Sequence, residues 1–167
     1  MSYYIIIRGS AGVGKTIIGK KLAEKLNAEL ISFDKILDEK ELGYVPGEEC
    51  VPEKNFYKAN EMVFSLADAT LKKGKIVVIE GNFYHFAPLE DLIEQLDYPH
   101  FVFTLKASLN ECVERDKTRK GIGEKNVKDV YKLVSRFDKG QIIDTSNKMP
   151  GKVVQEVISF LSNSGFN

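Results

Sequence analysis

The sequence has no tryptophan, two cysteines among 167 residues, and no excess of either charge, with 24 lysines plus arginines against 24 aspartates plus glutamates. Zero net charge removes the basic surplus that announces a nucleic-acid binder, so any anion has to be met by a local site. Cys50 and Cys112 lie 62 positions apart, which suits neither a metal-ligand pair nor a disulfide framework, and they are expected as reduced, buried thiols. No apolar run approaches the roughly 20 residues that cross a bilayer, and a cytoplasmic protein is expected. Arginine is scarce: Arg8, Arg115, Arg119 and Arg136 are the four, with none between positions 9 and 114. Repeats and low-complexity tracts are missing too. What is present is ordinary, at 43% hydrophobic and 29% charged residues, and the length predicts one domain over residues 1–167.

Short apolar runs recur at Tyr3 to Ile7, Leu30 to Phe33, Ile76 to Ile79, Phe101 to Leu105 and Ile142 to Ile143. Each reads as a strand buried on both faces. Segments of helical period lie between them, over about 15–27, 34–42, 53–73, 88–96, 108–120, 126–139 and 150–162. Regular alternation of strand and helix predicts an α/β fold with a parallel sheet covered by helices on both faces. Two stretches, Gly43 to Pro52 and Lys120 to Lys125, carry turn residues and are expected to be loops.

Gly9-Ser10-Ala11-Gly12-Val13-Gly14-Lys15-Thr16 fits the pattern of glycine, four residues, glycine, lysine and serine or threonine, placed between a strand and a helix. Glycines let the main chain curl until successive amide hydrogens face one hollow, beside the positive end of a helix, where phosphate oxygens accept them. Lys15 is expected on the β and γ phosphates of ATP, and the Thr16 hydroxyl on Mg2+. A dinucleotide fingerprint fits less well, because the third glycine is missing after Gly12-Val13-Gly14. Guanine-specific switches carry an asparagine-lysine-x-aspartate reader, and Asn147-Lys148-Met149-Pro150 lacks its aspartate.

With the phosphate loop, Ser32-Phe33-Asp34 after the second strand, Glu80-Gly81 after the third, and Arg115 with Arg119 followed by Ile143-Asp144-Thr145-Ser146, the sequence resembles the small-molecule kinases of the phosphate-loop class. That group includes adenylate, shikimate, gluconate and adenylylsulfate kinases and the zeta-toxin kinases. The resemblance implies a three-layer fold on a five-stranded parallel sheet in order 2-3-1-4-5, a small lid, ATP and Mg2+ as cofactors, and transfer of the γ-phosphoryl group to a small acceptor. It places an acceptor-binding insertion at about 34–73 and the lid at about 115–139, and loops Asp144, Thr145 and Ser146 around adenine. For those three residues ordinary turn chemistry is the competing explanation.

Asp34 is expected at the carboxyl edge of the sheet, where it could hold an acceptor hydroxyl and take its proton, or else cap a helix starting at Lys35. Glu80, at the same edge, suits a Mg2+-bound water or the acceptor, or is a buried acid paired with a lysine. Which of the two is the base is open. Arg115 and Arg119, four apart on one expected helix, form a lid pair that grips phosphate, or pair on the surface with Glu111 or Glu114. Arg8 in a buried strand has a structural pairing role, His85 reads as an exposed or hydrogen-bonded loop histidine, and Arg136 closes on the cleft or faces solvent.

From Asp34 to Tyr98 the acceptor side contains no arginine, the residue with which adenylate and shikimate kinases seize anionic acceptors. Asp38, Tyr44, Glu48, Glu49, Phe56, Tyr57, Phe83, Tyr84 and His85 together suit a neutral, hydroxyl-bearing or cationic acceptor, although Lys35 and Lys58 could serve an anionic one. The expectation is a Mg2+-dependent ATP phosphotransferase acting on a sugar, nucleoside or similar polyol, as a monomer or homodimer without membrane or nucleic-acid partners. A nucleotide-dependent regulatory module is the rival from another class.

Overall fold

The computed structural model describes residues 2–166. Its elements are β1 (Tyr4–Arg8), α1 (Lys15–Leu26), β2 (Glu29–Ser32), α2 (Phe33–Glu39), α3 (Glu53–Leu71), β3 (Val77–Gly81), α4 (Phe86–Gln95), β4 (His100–Lys106), α5 (Leu109–Lys117), α6 (Glu124–Val134), β5 (Gln141–Asp144) and α7 (Pro150–Asn163). Every ladder is parallel and the strands lie side by side in the order β2-β3-β1-β4-β5. This is the doubly covered sheet that the alternation of runs predicts.

β1 is central, and all five of its residues are buried. Successive side chains of a strand point to opposite faces. Tyr4 and Ile6 therefore enter one core with α2, α3 and α4, while Ile5 and Ile7 enter the other with α1, α5 and α7. β5 closes one edge of the sheet, and of its four residues Ile143 is the buried one. Among the described residues no helix is long and apolar enough to cross a membrane.

Element ends depart from the apolar periodicity where side chains capture the backbone. α5 stops at Lys117 rather than 120 because the Asp116 carboxylate accepts the amides of Ile122 and Gly123, turning the chain back on itself. α6 stops at Val134 rather than 139 because Arg8 takes the Val134 and Phe137 carbonyls and the Thr104 hydroxyl takes that of Lys139. α4 begins two residues early, at Phe86, with Pro88 in its first turn, where a missing amide hydrogen costs little.

Register sets the functional edge. Ser32 and Ile7 both lie opposite Glu80, and Arg8 lies opposite Gly81 and Thr104, so the carboxyl ends of β2, β3, β1 and β4 open on one side of the sheet. Open α/β sheets bind ligands at this edge.

Candidate functional site

The chain leaves β1 into residues 9–14, which curl over the sheet edge with Gly12 at φ 80° and Gly14 at φ 101°. A side chain is excluded at Gly12 on two counts, since a Cβ there would also sit 2.2 Å from the Cys112 carbonyl oxygen. Gly14 is the N-cap of α1, so the helix opens on Lys15 and Thr16 with its first amides unpaired within the helix. Lys15 is buried, and its ammonium donates to the Ser10 carbonyl at 3.0 Å. Burial pulls its pKa below the ordinary lysine value, and Arg119 pushes the same way, against the pull of Asp34 and Glu80.

Glu80, 2% exposed at the end of β3, accepts the Thr16 hydroxyl at 3.3 Å and the Ser32 hydroxyl. Among the described residues no cation lies within ion-pairing distance of its carboxylate, so the buried lysine-paired acid is not what stands here. A buried acid beside a hydroxyl at a phosphate loop fits Mg2+, a hard cation that takes one or two protein oxygens and completes its shell with water and phosphates.

Asp34 sits in the first turn of α2, whose N-cap is Ser32, so it does not cap the helix. Both of its oxygens instead accept the Asn82 amide, at 3.1 Å each. Burial pushes the carboxyl up to about 6, with Glu80 and Asp38 acting in the same sense and Lys15 and the Asn82 amide opposing them. The Asn82 amide is presented by a turn in which Phe83 takes the left-handed conformation at φ 44°, its ring buried against Phe33 at 4.6 Å between centroids.

Lys15, Thr16, Asp34 and Asn82 line a cleft of about 890 Å³. Its lining draws Asp34, Asp38, Tyr44, Glu48 and Glu49 from one stretch of the chain and Arg119, Ile122, Lys125, Asp129 and Lys132 from another, together with Lys15 and Thr16. Val51 fastens the loop of residues 43–52 over this cleft: its amide donates to the Tyr84 hydroxyl at 3.2 Å and its carbonyl meets the His85 ring at 2.8 Å. His85 is thus engaged with the backbone. Lys35 is tied to Glu39 on the surface, and neither it nor Lys58 lines the cleft.

Arg115 and Arg119 part company, contrary to the shared helix face their spacing predicts, because α5 ends between them. Arg119 lines the cleft. Arg115 lies behind the phosphate loop, donating to the Val13 carbonyl at 3.3 Å, the Thr145 hydroxyl at 3.0 Å and the Thr145 carbonyl at 2.7 Å, and pairing with Glu111. Buried Thr145 donates from its hydroxyl to Val13 and Lys106, while Asp144 accepts the Ser146 amide at 2.9 Å in a side-chain turn. Turn chemistry and proximity to the phosphate loop therefore coexist there. Arg8 is structural: fully buried, held down at about 10 by desolvation against the pull of Asp138, it stacks on Phe137 at 4.1 Å. Arg136 is exposed, with Glu49 at 3.7 Å.

Two contributors lie outside the motifs. Asp116 orders the turn after α5, and nothing in the charged run Glu114 to Lys117 marks it out from a solvated helix face. The Asn82 amide depends on the conformation of Phe83, for which the sequence carries no signal.

A Pyrococcus furiosus protein that carries the provisional name adenylate kinase is 32% identical over 168 aligned positions, covering 96% of this chain and 84% of its own. A shikimate kinase of Corynebacterium jeikeium is 30% identical, covering 96% of this chain and 89% of its own. Among solved structures, a sugar kinase from Janibacter sp. HTCC2649 superposes with a TM-score of 0.77 at 14% identity, over 97% of this chain and 95% of that one, which shows a shared fold. The family model described as AAA domain matches residues 5–136, from β1 past the lid-side turn, and the chain belongs to that family, with the kinase-type phosphate-loop fold of its relatives.

Proposed function

We propose that the protein transfers the γ-phosphoryl group of ATP to a hydroxyl of a small acceptor. The observation that carries this is the convergence of Lys15, Thr16 and Asp34 on one cleft, with Glu80 hydrogen-bonded to the Thr16 hydroxyl. The loop of Gly9, Ser10, Ala11, Gly12, Val13 and Gly14 cradles the phosphates with main-chain amides. Lys15 and Arg119 offset the charge that develops on the transferring group. Thr16 and Glu80 would hold Mg2+. When bound, that ion would supply positive charge that offsets the charge of the phosphates.

In the reaction the acceptor oxygen bonds to the γ-phosphorus, the bond to the β–γ bridging oxygen breaks to leave ADP, and the hydroxyl proton passes to the Asp34 carboxylate. An aspartate held at about 6 is ionised at neutral pH and is a better proton acceptor than an ordinary one. Residues 34–73 then serve the acceptor and 115–139 the lid, Arg115 acting from behind the loop to tie Val13 to the Thr145 turn on the adenine side.

The acceptor side supports a sugar, nucleoside or polyol over an anion, because it offers four carboxylates, its neighbouring Arg136 is exposed and faces Glu49, and neither Lys35 nor Lys58 lines the cleft. The relatives' names favour a second reading, a nucleoside monophosphate or a carboxylate acceptor, for which Lys125 and Lys132 in the cleft lining are available cations. An ADP-release screen across neutral polyols, nucleosides, nucleoside monophosphates and hydroxy acids decides. Turnover that rises with neutral hydroxyl compounds supports the first reading, and turnover confined to the anions replaces it with the second. A rate that responds to no small acceptor contradicts both and points to a regulatory module.

A further inference from the structure

Arg119 reaches into the cleft from beyond the end of α5, with a side chain half exposed and no fixed partner among the described residues other than Asp116. Asp116 is unusual for its position. It lies in the last turn of α5, where the negative end of the helix dipole opposes a carboxylate, and it is 3% exposed, where desolvation opposes one again. Three donors offset both costs: the Ile122 amide at 3.2 Å and the Arg119 guanidinium at 3.3 Å on one oxygen, and the Gly123 amide at 2.9 Å on the other. Burial pushes the carboxyl up, yet these bonds outweigh it and hold the group below the ordinary aspartate value.

The chain is shaped to fit that carboxylate. A Cβ on Gly121 would stand 2.2 Å from its carbon and one oxygen and 2.3 Å from the other. Such a buried charge, set against local preference and enclosed by a tailored turn, is the pattern of a functional site rather than of a solvated face.

We infer that Asp116 is a positioning residue for phosphoryl transfer, clamping the turn of residues 118–123 so that the Arg119 guanidinium is aimed at the phosphate end of the cleft. The inference rests on the kinase reading above. Asp116 touches no reacting atom; it fixes one of the two cations that do. Asn at this position keeps the size but loses the charge and one acceptor, leaving Arg119 free to wander.

The test is a double-mutant cycle on Asp116→Asn and Arg119→Ala, reading MgATP turnover as ADP release, the dissociation constant of Mg·AMP-PNP, and the melting temperature. Each single variant is expected to slow turnover by about 10- to 100-fold, while Mg·AMP-PNP affinity changes by less than about threefold. The double variant is expected within about twofold of Arg119→Ala alone, because one residue acts through the other. Equal slowing by Asp116→Asn with and without Arg119, or a lower melting temperature at unchanged turnover, overturns the inference and leaves a structural staple. Should Asp116→Asn fail to fold, Gly121→Ala displaces the carboxylate without removing it. The same Arg119-dependent loss supports the inference, and full turnover overturns it. A wild-type chain that binds no Mg·AMP-PNP defeats the nucleotide reading and this inference together, whereas binding with an additive cycle defeats this inference alone.

Discussion

Thr16 and Glu80 stand 64 positions apart in sequence and meet at 3.3 Å, hydroxyl to carboxylate, under the opening of the phosphate loop. Parallel register brings them together: Glu80 lies opposite Ile7 on β1, one residue before the strand's end, and Thr16 is the second residue of the helix that follows the phosphate loop. The pair gives a first expectation. Glu80→Gln keeps one acceptor oxygen for one of the Ser32 and Thr16 hydroxyls and can donate from its amide nitrogen to the oxygen of the other, so the fold should persist. ADP release should fall by about 10²-fold and demand more Mg2+ for half-saturation. A magnesium titration of turnover checks this, and an unchanged requirement removes Glu80 from the metal site.

Asp34 sets a pH dependence with opposite signs for stability and for rate. Its carboxyl is pushed from the ordinary 3.8 up to about 6 in the folded chain. A raised folded-state value means the protonated group favours folding, an advantage complete below about 4 and lost as pH rises through about 6. Asp34→Asn should therefore melt higher than the wild type above pH 6, by up to about 3 kcal/mol and less where water reaches the carboxylate. That difference should vanish by about pH 4. Turnover of the wild type should rise with pH through about 6, and Asp34→Asn should be inactive across the range. Melting curves of the nucleotide-free chain from pH 4 to 8 read the first expectation, and rate profiles the second.

Gly12 combines φ 80° with a missing Cβ that would lie 2.2 Å from the Cys112 carbonyl oxygen. Gly12→Ala has to displace either the phosphate loop or the start of α5, and should destabilise by about 1–3 kcal/mol while weakening nucleotide binding. Denaturant melts and a nucleotide titration on the same variant measure both effects. A native-like melt with intact binding would show that the two segments move apart freely.

Tyr84 holds the loop over the cleft through the Val51 amide at 3.2 Å. Tyr84→Phe leaves that amide without its partner, at a cost of about 1 kcal/mol, and loosens the wall that carries Glu48 and Glu49. The KM for the acceptor should rise several-fold with kcat nearly unchanged, since no phosphate contact is touched. Steady-state kinetics with the acceptor identified by the screen reads this split.

The fold was legible because its signals are local and repeated. Buried runs such as Ile5 to Ile7 and Val77 to Ile79 are too short and apolar for anything but central strands, and glycines with Lys15 and Thr16 mark the turn between strand and helix. The positions of Asp34, two residues past the end of β2, and of Glu80, next to last in β3, were legible for the same reason, both lying at the edge where such sheets bind ligands. The lid side was not. Spacing puts Arg115 and Arg119 on one face only if the helix continues, and it ends at Lys117 because Asp116 prefers the amides of Ile122 and Gly123. That choice depends on tertiary closure of a turn, which neither periodicity nor charge pattern records. His85 and Tyr84 likewise gain their role from Val51, more than thirty residues away.

Titration calorimetry with MgATP tests the central claim most directly. The wild-type chain is expected to bind about one nucleotide saturably, and Lys15→Ala, which relieves a buried ammonium and should melt no lower, is expected to bind at least about tenfold more weakly. The absence of heat from ATP or GTP, or equal binding by Lys15→Ala, would contradict the account.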